Sequence, residues 1–195
     1  MPASLDNSVN RPDGILPIMP LKTTRTNLLV ATASIIGRDG VASLTLEAVA
    51  CEAGVSKGGL LYHFKSKRDL IIGLIDYHTE IMEQRIAEEL RSEPDAPGRW
   101  LRAYIRVAIK PLQSPSYSAS MIASIATDPS LLAVARRKFE SWREQMLGDG
   151  LSAETAQLVH MTLDGWRMWR TFQFVPEELN MPDHVVNYLI ELTRH

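Results

Sequence analysis

Residues 45–64 read TLEAVACEAGVSKGGLLYHF, and the fold turns on how that stretch is parsed. Thr45 suits a helix N-cap, because its hydroxyl can accept from a backbone N–H of the first turn. Glu47 and Ala48 follow, and Leu46, Val49 and Ala50 supply the inward face of a short helix. AGV at 53–55 ends it, since Gly54 adopts a left-handed C-cap at little steric cost. Ser56 is a second N-cap and opens SKGGLLYHF. Two short helices joined by a glycine-containing turn are a helix-turn-helix. Val55, Leu60, Leu61 and Phe64 are apolar anchors for the second helix. Its other face is Ser56, Lys57, Gly58, Gly59, Tyr62 and His63, with little bulk at the start and polar groups near the end. Glycine inside a helix costs about 1 kcal/mol relative to alanine. The Gly58–Gly59 pair therefore needs a reason: a loop around a ligand, or a helix that must come very close to a partner.

The chain on either side is helical too. From Lys22, the residues Leu28, Leu29, Ala31, Ala33, Ile35 and Ile36 make a broad apolar face, and RDG at 38–40 stops it. Ser66 caps a longer helix that carries Leu70, Ile71, Leu74, Ile75, His78, Ile81 and Met82 on one side. Breaks at SEPDAPG (92–98), KPLQSP (110–115), TDP (127–129), GDG (148–150) and VPEELNMP (175–182) separate five further helical patterns. These cover about 98–110, 117–127, 130–148, 152–174 and 183–194. No alternating strand pattern, repeat or low-complexity tract interrupts them. The expectation is an all-α protein of about nine helices. Residues 1–20 hold four of the eleven prolines and no apolar period, which predicts a flexible arm. Residues 21–65 form the helix-turn-helix unit, and residues 66–195 a larger helical bundle.

Composition narrows the class. Of 195 residues, 45% are hydrophobic and 23% charged, ordinary for a globular protein. There is no apolar run of 18 residues, so no transmembrane helix is expected. The start, MPASLDNSVNRPDG, lacks the basic-then-apolar order of a secretory signal. The single cysteine, Cys51, excludes an intrachain disulfide. A cytoplasmic location fits these features. The net charge is −2, but residues 21–70 hold seven basic and four acidic groups, a local positive excess. That excess points to a polyanion contact, or is a chance fluctuation.

A recognition helix seated in the major groove of double-stranded DNA explains the glycine pair. Without side chains at its start, the backbone of such a helix can approach the duplex closely. Ser56 and the first-turn N–H groups can meet a phosphate, and Lys57 can reach a base edge or a phosphate. Tyr62, His63, Lys65 and Lys67 lie where phosphates flank the groove. A nucleotide-cradling loop competes poorly, because SKGG lacks the GxxxxGK[ST] order and no strand precedes it. A plain turn of no special use is the other competing reading.

The stretch TLEAVACEAGVSKGGLLYHFKSKRDLI, residues 45–71, resembles the DNA-binding signature of the TetR family of transcriptional regulators. The shared features are the Thr-led helix, the A-G-V-S turn, the recognition helix and the S-K-x-x-L start of the next helix. The match runs over about residues 22–75, and this is a GGLLYHF-type variant of the motif. The resemblance implies that Thr45 touches a phosphate and that Lys67 contacts the DNA backbone. Tyr62 and His63 match the aromatic and histidine before the family's phenylalanine. Gly59 stands where threonine or another small polar residue is frequent, and Leu61 where tyrosine is frequent. A hydroxyl-to-base contact and a tyrosine–phosphate contact are thus not implied here, which shifts recognition towards Lys57 and Tyr62. The family also implies a C-terminal half that binds a small effector and dimerises through its last two helices. The implied function is a repressor that binds a near-palindromic operator as a homodimer and is released by the effector.

The C-terminal sequence can be read for both properties. Residues 152–174, SAETAQLVHMTLDGWRMWRTFQF, are apolar nearly all round. Leu158, Met161, Gly165, Met168, Trp169 and Phe172 make one stripe, and Val159, Leu163 and Trp166 another. A helix apolar on two faces is buried on both sides, against its own bundle and a twin subunit or wholly within one core. Residues 183–194 add Val185, Val186, Leu189, Ile190 and Leu192 to a dimer surface. Trp100, Tyr104, Met121, Trp142, Met161, Trp166 and Trp169 are the candidate effector-binding residues. Such a set suits an apolar or aromatic ligand, and plain core packing explains the same residues. Arg106, Arg167, Arg170 and His160 are candidates for a polar or anionic end.

Enzyme readings find little support. There is no Gly-x-Ser-x-Gly elbow and no singled-out carboxylate pair. His160 and Asp164 lie four apart on a helix, but no third ligand accompanies them, so neither metal nor cofactor is expected. Cys51 reads as a small core residue. The alternative to a regulator is a small-molecule or protein-binding helical module whose helix-turn-helix only packs.

Overall fold

The computed structural model describes residues 23–110, 115–172, 174–176 and 179–194, except the side chains of 115–118 and 121. The expected arm at 1–20 lies outside them. Nine α-helices run in chain order among the described residues. They are α1 (Thr24–Asp39), α2 (Leu46–Glu52), α3 (Lys57–His63), α4 (Lys67–Leu90), α5 (Arg99–Ile109), α6 (Pro115–Thr127), α7 (Leu132–Leu147), α8 (Ala153–Thr171) and α9 (Asp183–Leu192). Two short 3-10 turns, Val41–Ser43 and Pro129–Leu131, complete them.

The helix starts follow local chemistry. Thr23, Thr45, Ser56, Ser66 and Ser152 are extended residues whose hydroxyls each accept from the backbone N–H three residues on. Each such cap contributes about 1 kcal/mol. Gly40 and Gly54 turn the chain out of α1 and α2 at φ +80° and +67°. The first core joins α1 to α4 through Leu28, Leu29, Val49, Leu60, Phe64 and Leu74. Gly73 is part of that seam, for a Cβ there would sit 2.7 Å from Phe64 Cε1. Cys51, expected in this core, is exposed. It lies one helical step beyond Ala50, and the 100° step carries its side chain off the buried face.

The second core surrounds α5, which is buried on nearly every side. Met82 and Ile86 of α4, Trp142 and Met146 of α7, and Val159 and Leu163 of α8 pack against it. At 24 residues, α4 spans about 36 Å and serves both cores. Its lower half belongs to the helix-turn-helix and its upper half to the bundle. The α6–α7 corner is a second link. Leu131 is fully buried in the first core, and Ser120 Oγ donates to the Ala33 carbonyl of α1 at 3.2 Å. Arg68, near the start of α4, pairs with Asp128 and donates to Ser130 Oγ at 2.7 Å.

Buried charge fixes the end of the chain. Arg102 donates to Glu93 through Nε at 2.8 Å, and through Nη1 to the carbonyls of Pro97 and Thr193, each at 2.8 Å. Arg106 also pairs with Glu93. Satisfying a buried carboxylate with two guanidiniums holds the α4–α5 loop against the end of α9.

Candidate nucleic-acid interface and bundle interior

The exposed side of α3 gathers the predicted DNA-facing residues. Thr45 Oγ1 accepts from the Ala48 N–H at 3.0 Å, and Ser56 Oγ from the Gly59 N–H at 3.1 Å. Both residues are exposed, so each hydroxyl keeps its proton available for an outside acceptor. Tyr62 is 80% exposed and meets the His63 ring edge-on at 5.1 Å. Leu60 and Phe64, on the opposite side, are buried and hold α3 to α1 and α4.

Nothing inside the fold requires Gly58 or Gly59. Neither has a left-handed backbone. A Cβ at 58 would find only Ser56 Oγ, at 3.9 Å, and one at 59 would meet it at 3.4 Å. The space that the missing side chains leave opens outward. Gly73 and Gly54, by contrast, are needed for packing and for φ.

The two lysines are already engaged. Lys57 Nζ lies 2.6 Å from Glu47 Oε1 across the turn, both side chains well exposed. The hydrogen bond from Lys57 holds the Glu47 carboxyl below its ordinary range. A phosphate or base must therefore draw Lys57 away from Glu47. Lys67, half-buried, donates to the Val41 carbonyl. It ties α4 to the α1–α2 connection, a role its position in the sequence does not reveal. An ammonium has three donors, so an outward contact is still open to it.

The candidate effector residues separate into two groups. Trp100, Tyr104 and Trp142 are buried together between α5 and α7. The Trp100 and Tyr104 rings stack at 5.3 Å, and Trp142 lies 6.3 Å from Tyr104. Trp166 is half-buried beside them and packs on the same core. Met161 and Trp169 do not join the set; they are 65% and 56% exposed. They share their face of α8 with Leu158, Met168 and Phe172, all at least 46% exposed, while Val159 and Leu163 are fully buried. Both stripes are visible in the sequence, but only tertiary packing decides which one turns inward. Met121 is placed on α6, and its side chain lies outside the described residues.

The polar candidates also sort themselves. His160 Nε2 pairs with Asp164 at 3.3 Å, and the His160 ring lies 6.1 Å from that of Tyr104. Arg167 Nη1 donates to the Tyr104 hydroxyl at 3.5 Å. Arg106 belongs instead to the Glu93 cluster. His78 of α4, marked in the sequence only as one of an inward row, is 8% exposed. Burial and the nearby Arg167 and Arg85 push its pKa down to about 3, so the imidazole is neutral.

A helix-turn-helix with an open recognition face, carried on an aromatic-lined helical bundle, is the architecture of a one-component transcription regulator. The sequence pattern of "Bacterial regulatory proteins, tetR family" matches residues 28–74, and that of "Tetracyclin repressor-like, C-terminal domain" matches residues 98–194. The chain belongs to the TetR family. It is accordingly a DNA-binding transcriptional regulator and not an enzyme.

Relatives agree over most of the length. The transcriptional activator FasR of Mycolicibacterium smegmatis is 25% identical over 163 residues, covering 77% of this chain and 74% of its own. A Pseudomonas aeruginosa PAO1 protein assigned to transcriptional regulation shares the fold with a TM-score of 0.70, at 16% identity over 87% of this chain and 88% of its own. The multidrug-binding protein EbrR, solved with malachite green, has a TM-score of 0.65 at 21% identity, over 87% of this chain and 97% of its own. At these identities the two structures show a common fold. No described helix is long and apolar enough to cross a membrane.

Proposed function

We propose that this regulator is a homodimeric, effector-released repressor acting in the cytoplasm. Its DNA surface is Thr45, Ser56, Lys57, Gly58, Gly59, Tyr62, His63 and Lys67, in the unit of residues 21–65. The observation that carries the DNA surface is the outward space at Gly58 and Gly59. Two helix-weakening residues with no internal purpose are accounted for by a duplex pressed against the helix. The exposed apolar stripe of α8, continued by Tyr188 of α9 at 62% exposure, supports pairing with a second copy. An apolar face of that kind is costly to leave in water, and pairing places two recognition helices on successive major grooves. The effector occupies the bundle of residues 66–195, against Trp100, Tyr104, Trp142 and Trp166. It works by favouring the arrangement of α4 that does not fit DNA. The EbrR–malachite green complex supports an apolar or aromatic body for it.

The test is binding to DNA flanking the protein's own gene at several salt concentrations, with Lys57→Ala alongside. Wild type should bind selectively and lose affinity steeply as salt rises. If Lys57 contacts a phosphate, the variant's log–log salt slope falls by about one unit; if it reads a base, sequence preference relaxes. Weak binding to all DNA by wild type, or a variant with wild-type slope and preference, would refute the assigned surface.

A further inference from the structure

Two buried polar atoms, in residues that border the same space inside the bundle, have no hydrogen-bond partner among the described residues. They are His78 Nε2 and the indole Nε1 of Trp142. Their residues are 8% and 3% exposed, and both border a cavity between α4 and α7, with Thr79 and Phe139. Its volume is about 10 Å³, at the lower limit for holding even one water. Folded proteins rarely leave such groups unsatisfied, because each costs about 1–3 kcal/mol.

The charges nearby are also out of balance. Arg167 has the Tyr104 hydroxyl as its contact, and no described carboxylate lies within ion-pair distance of it or of Arg85. Asp164 lies beside the Tyr104 hydroxyl and pairs with His160 at 3.3 Å. The imidazole of His78 is kept neutral by burial first and then by the charges of Arg167 and Arg85. The interior thus presents an indole N–H, a phenol, an imidazole and a guanidinium, and Asp164 is the one carboxylate recorded against them among the described residues. Trp100, stacked on Tyr104, and Phe139, packed edge-on against Trp142 at 5.7 Å, add apolar surface on either side. Phe139 is 39% exposed, so the space widens by moving that ring outward.

We propose that His78, Tyr104, Trp142 and Arg167 form a carboxylate receptor, and that the effector is an amphipathic organic acid. Its acid group sits on the Arg167 guanidinium and takes the Tyr104 hydroxyl from Asp164, which keeps His160, and the Trp142 N–H supplies a further donor. Its apolar body lies along the bundle aromatics. A charge-assisted hydrogen bond in this low-dielectric interior is the strong kind, and the acid supplies a carboxylate at ion-pair distance, which Arg167 lacks among the described residues. The assignment rests on the reading that the effector binds inside the bundle, and adds which chemical class binds there.

The experiment titrates the purified full-length protein with octanoate, decanoate, benzoate and naphthoate, and with the matching primary alcohols, following tryptophan fluorescence and calorimetry. At least one acid should bind about tenfold more tightly than its alcohol, the value of one charge-assisted contact. Arg167→Met, which keeps the alkyl stem, should remove that preference while leaving alcohol binding within about twofold. Circular dichroism checks that the variant folds, and Tyr104→Phe gives a second, smaller loss. Acid and alcohol binding equally, or an undiminished preference in a folded Arg167→Met, would overturn the proposal. Binding of alcohols or malachite green but of no acid would overturn it too, and would leave the bundle as effector site. Binding of none of these compounds would count against both.

Discussion

In α3 the unused space lies outside the molecule, while in the bundle the unused bonding capacity lies inside it. Gly58 and Gly59 leave an outward gap that no neighbour fills, and their backbone is ordinary helix. In the bundle, His78 Nε2 and Trp142 Nε1 are buried without partners among the described residues. The first region is incomplete as a surface and the second as a core. A rigid protein that only had to be stable would have alanine at 58 and a partner for Trp142. The contrast teaches where each region expects its ligand. On the proposed function, one is a large polyanion approached over open solvent, and the other a small molecule enclosed by side chains.

The contrast can be broken most forcefully through pH. The depressed His78 pKa means that the unfolded chain takes up a proton near pH 6.5 that the native protein refuses until about pH 3. The unfolded state therefore binds more protons in that window, and stability rises with pH. The stability is fully present above pH 6.5 and is lost as pH falls. The slope due to this group approaches about 1.4 kcal/mol per pH unit. Urea melts from pH 7 to pH 4 should show it, and His78→Gln should flatten it. An unchanged slope in the variant would mean that the imidazole is hydrated and the interior is not the sealed donor cluster described.

The next effect sharpens the difference between glycines. Gly73→Ala places a methyl 2.7 Å from Phe64 Cε1 and 3.2 Å from Leu29 Cδ2. Overpacking there should cost about 1–3 kcal/mol, measured by chemical denaturation. It should also disturb the seat of α3, through Phe64. A neutral result would show that the α1–α3–α4 seam yields easily.

The smallest effect on stability has the opposite sign. Gly58→Ala meets nothing closer than 3.9 Å and should stabilise the free protein by about 0.5 kcal/mol. The same methyl points where DNA would lie, so affinity should fall while the melting temperature rises. If both rise together, the outward gap is not a docking space.

Much of this was legible locally. The caps Thr45, Ser56 and Ser66 and the turn at Gly54 all act within four residues of themselves. Short-range chemistry of that kind can be read from a string of letters. The helix-turn-helix motif and its exposed face emerge from it, as does the division of α8 into two apolar stripes.

What was not legible depends on partners far apart in the chain. Cys51 reads as core because its helix packs, yet one helical step exposes it. Lys67 reads as a phosphate ligand, and nothing in the sequence shows that a carbonyl 26 residues away also engages it. Arg68 gives no local sign of Asp128, 60 residues on. Trp169 has the same side chain as Trp142, and only the docking of α8 on α5 sends it and Met161 outward. The sequence alone determined the helices, their ends and the polar face of α3, because capping, turn formation and the 3.6-residue period are local. The tertiary structure decided which apolar stripe is core, which cations find a partner and which donors are sealed without one, because burial and charge pairing are set by neighbours distant in sequence.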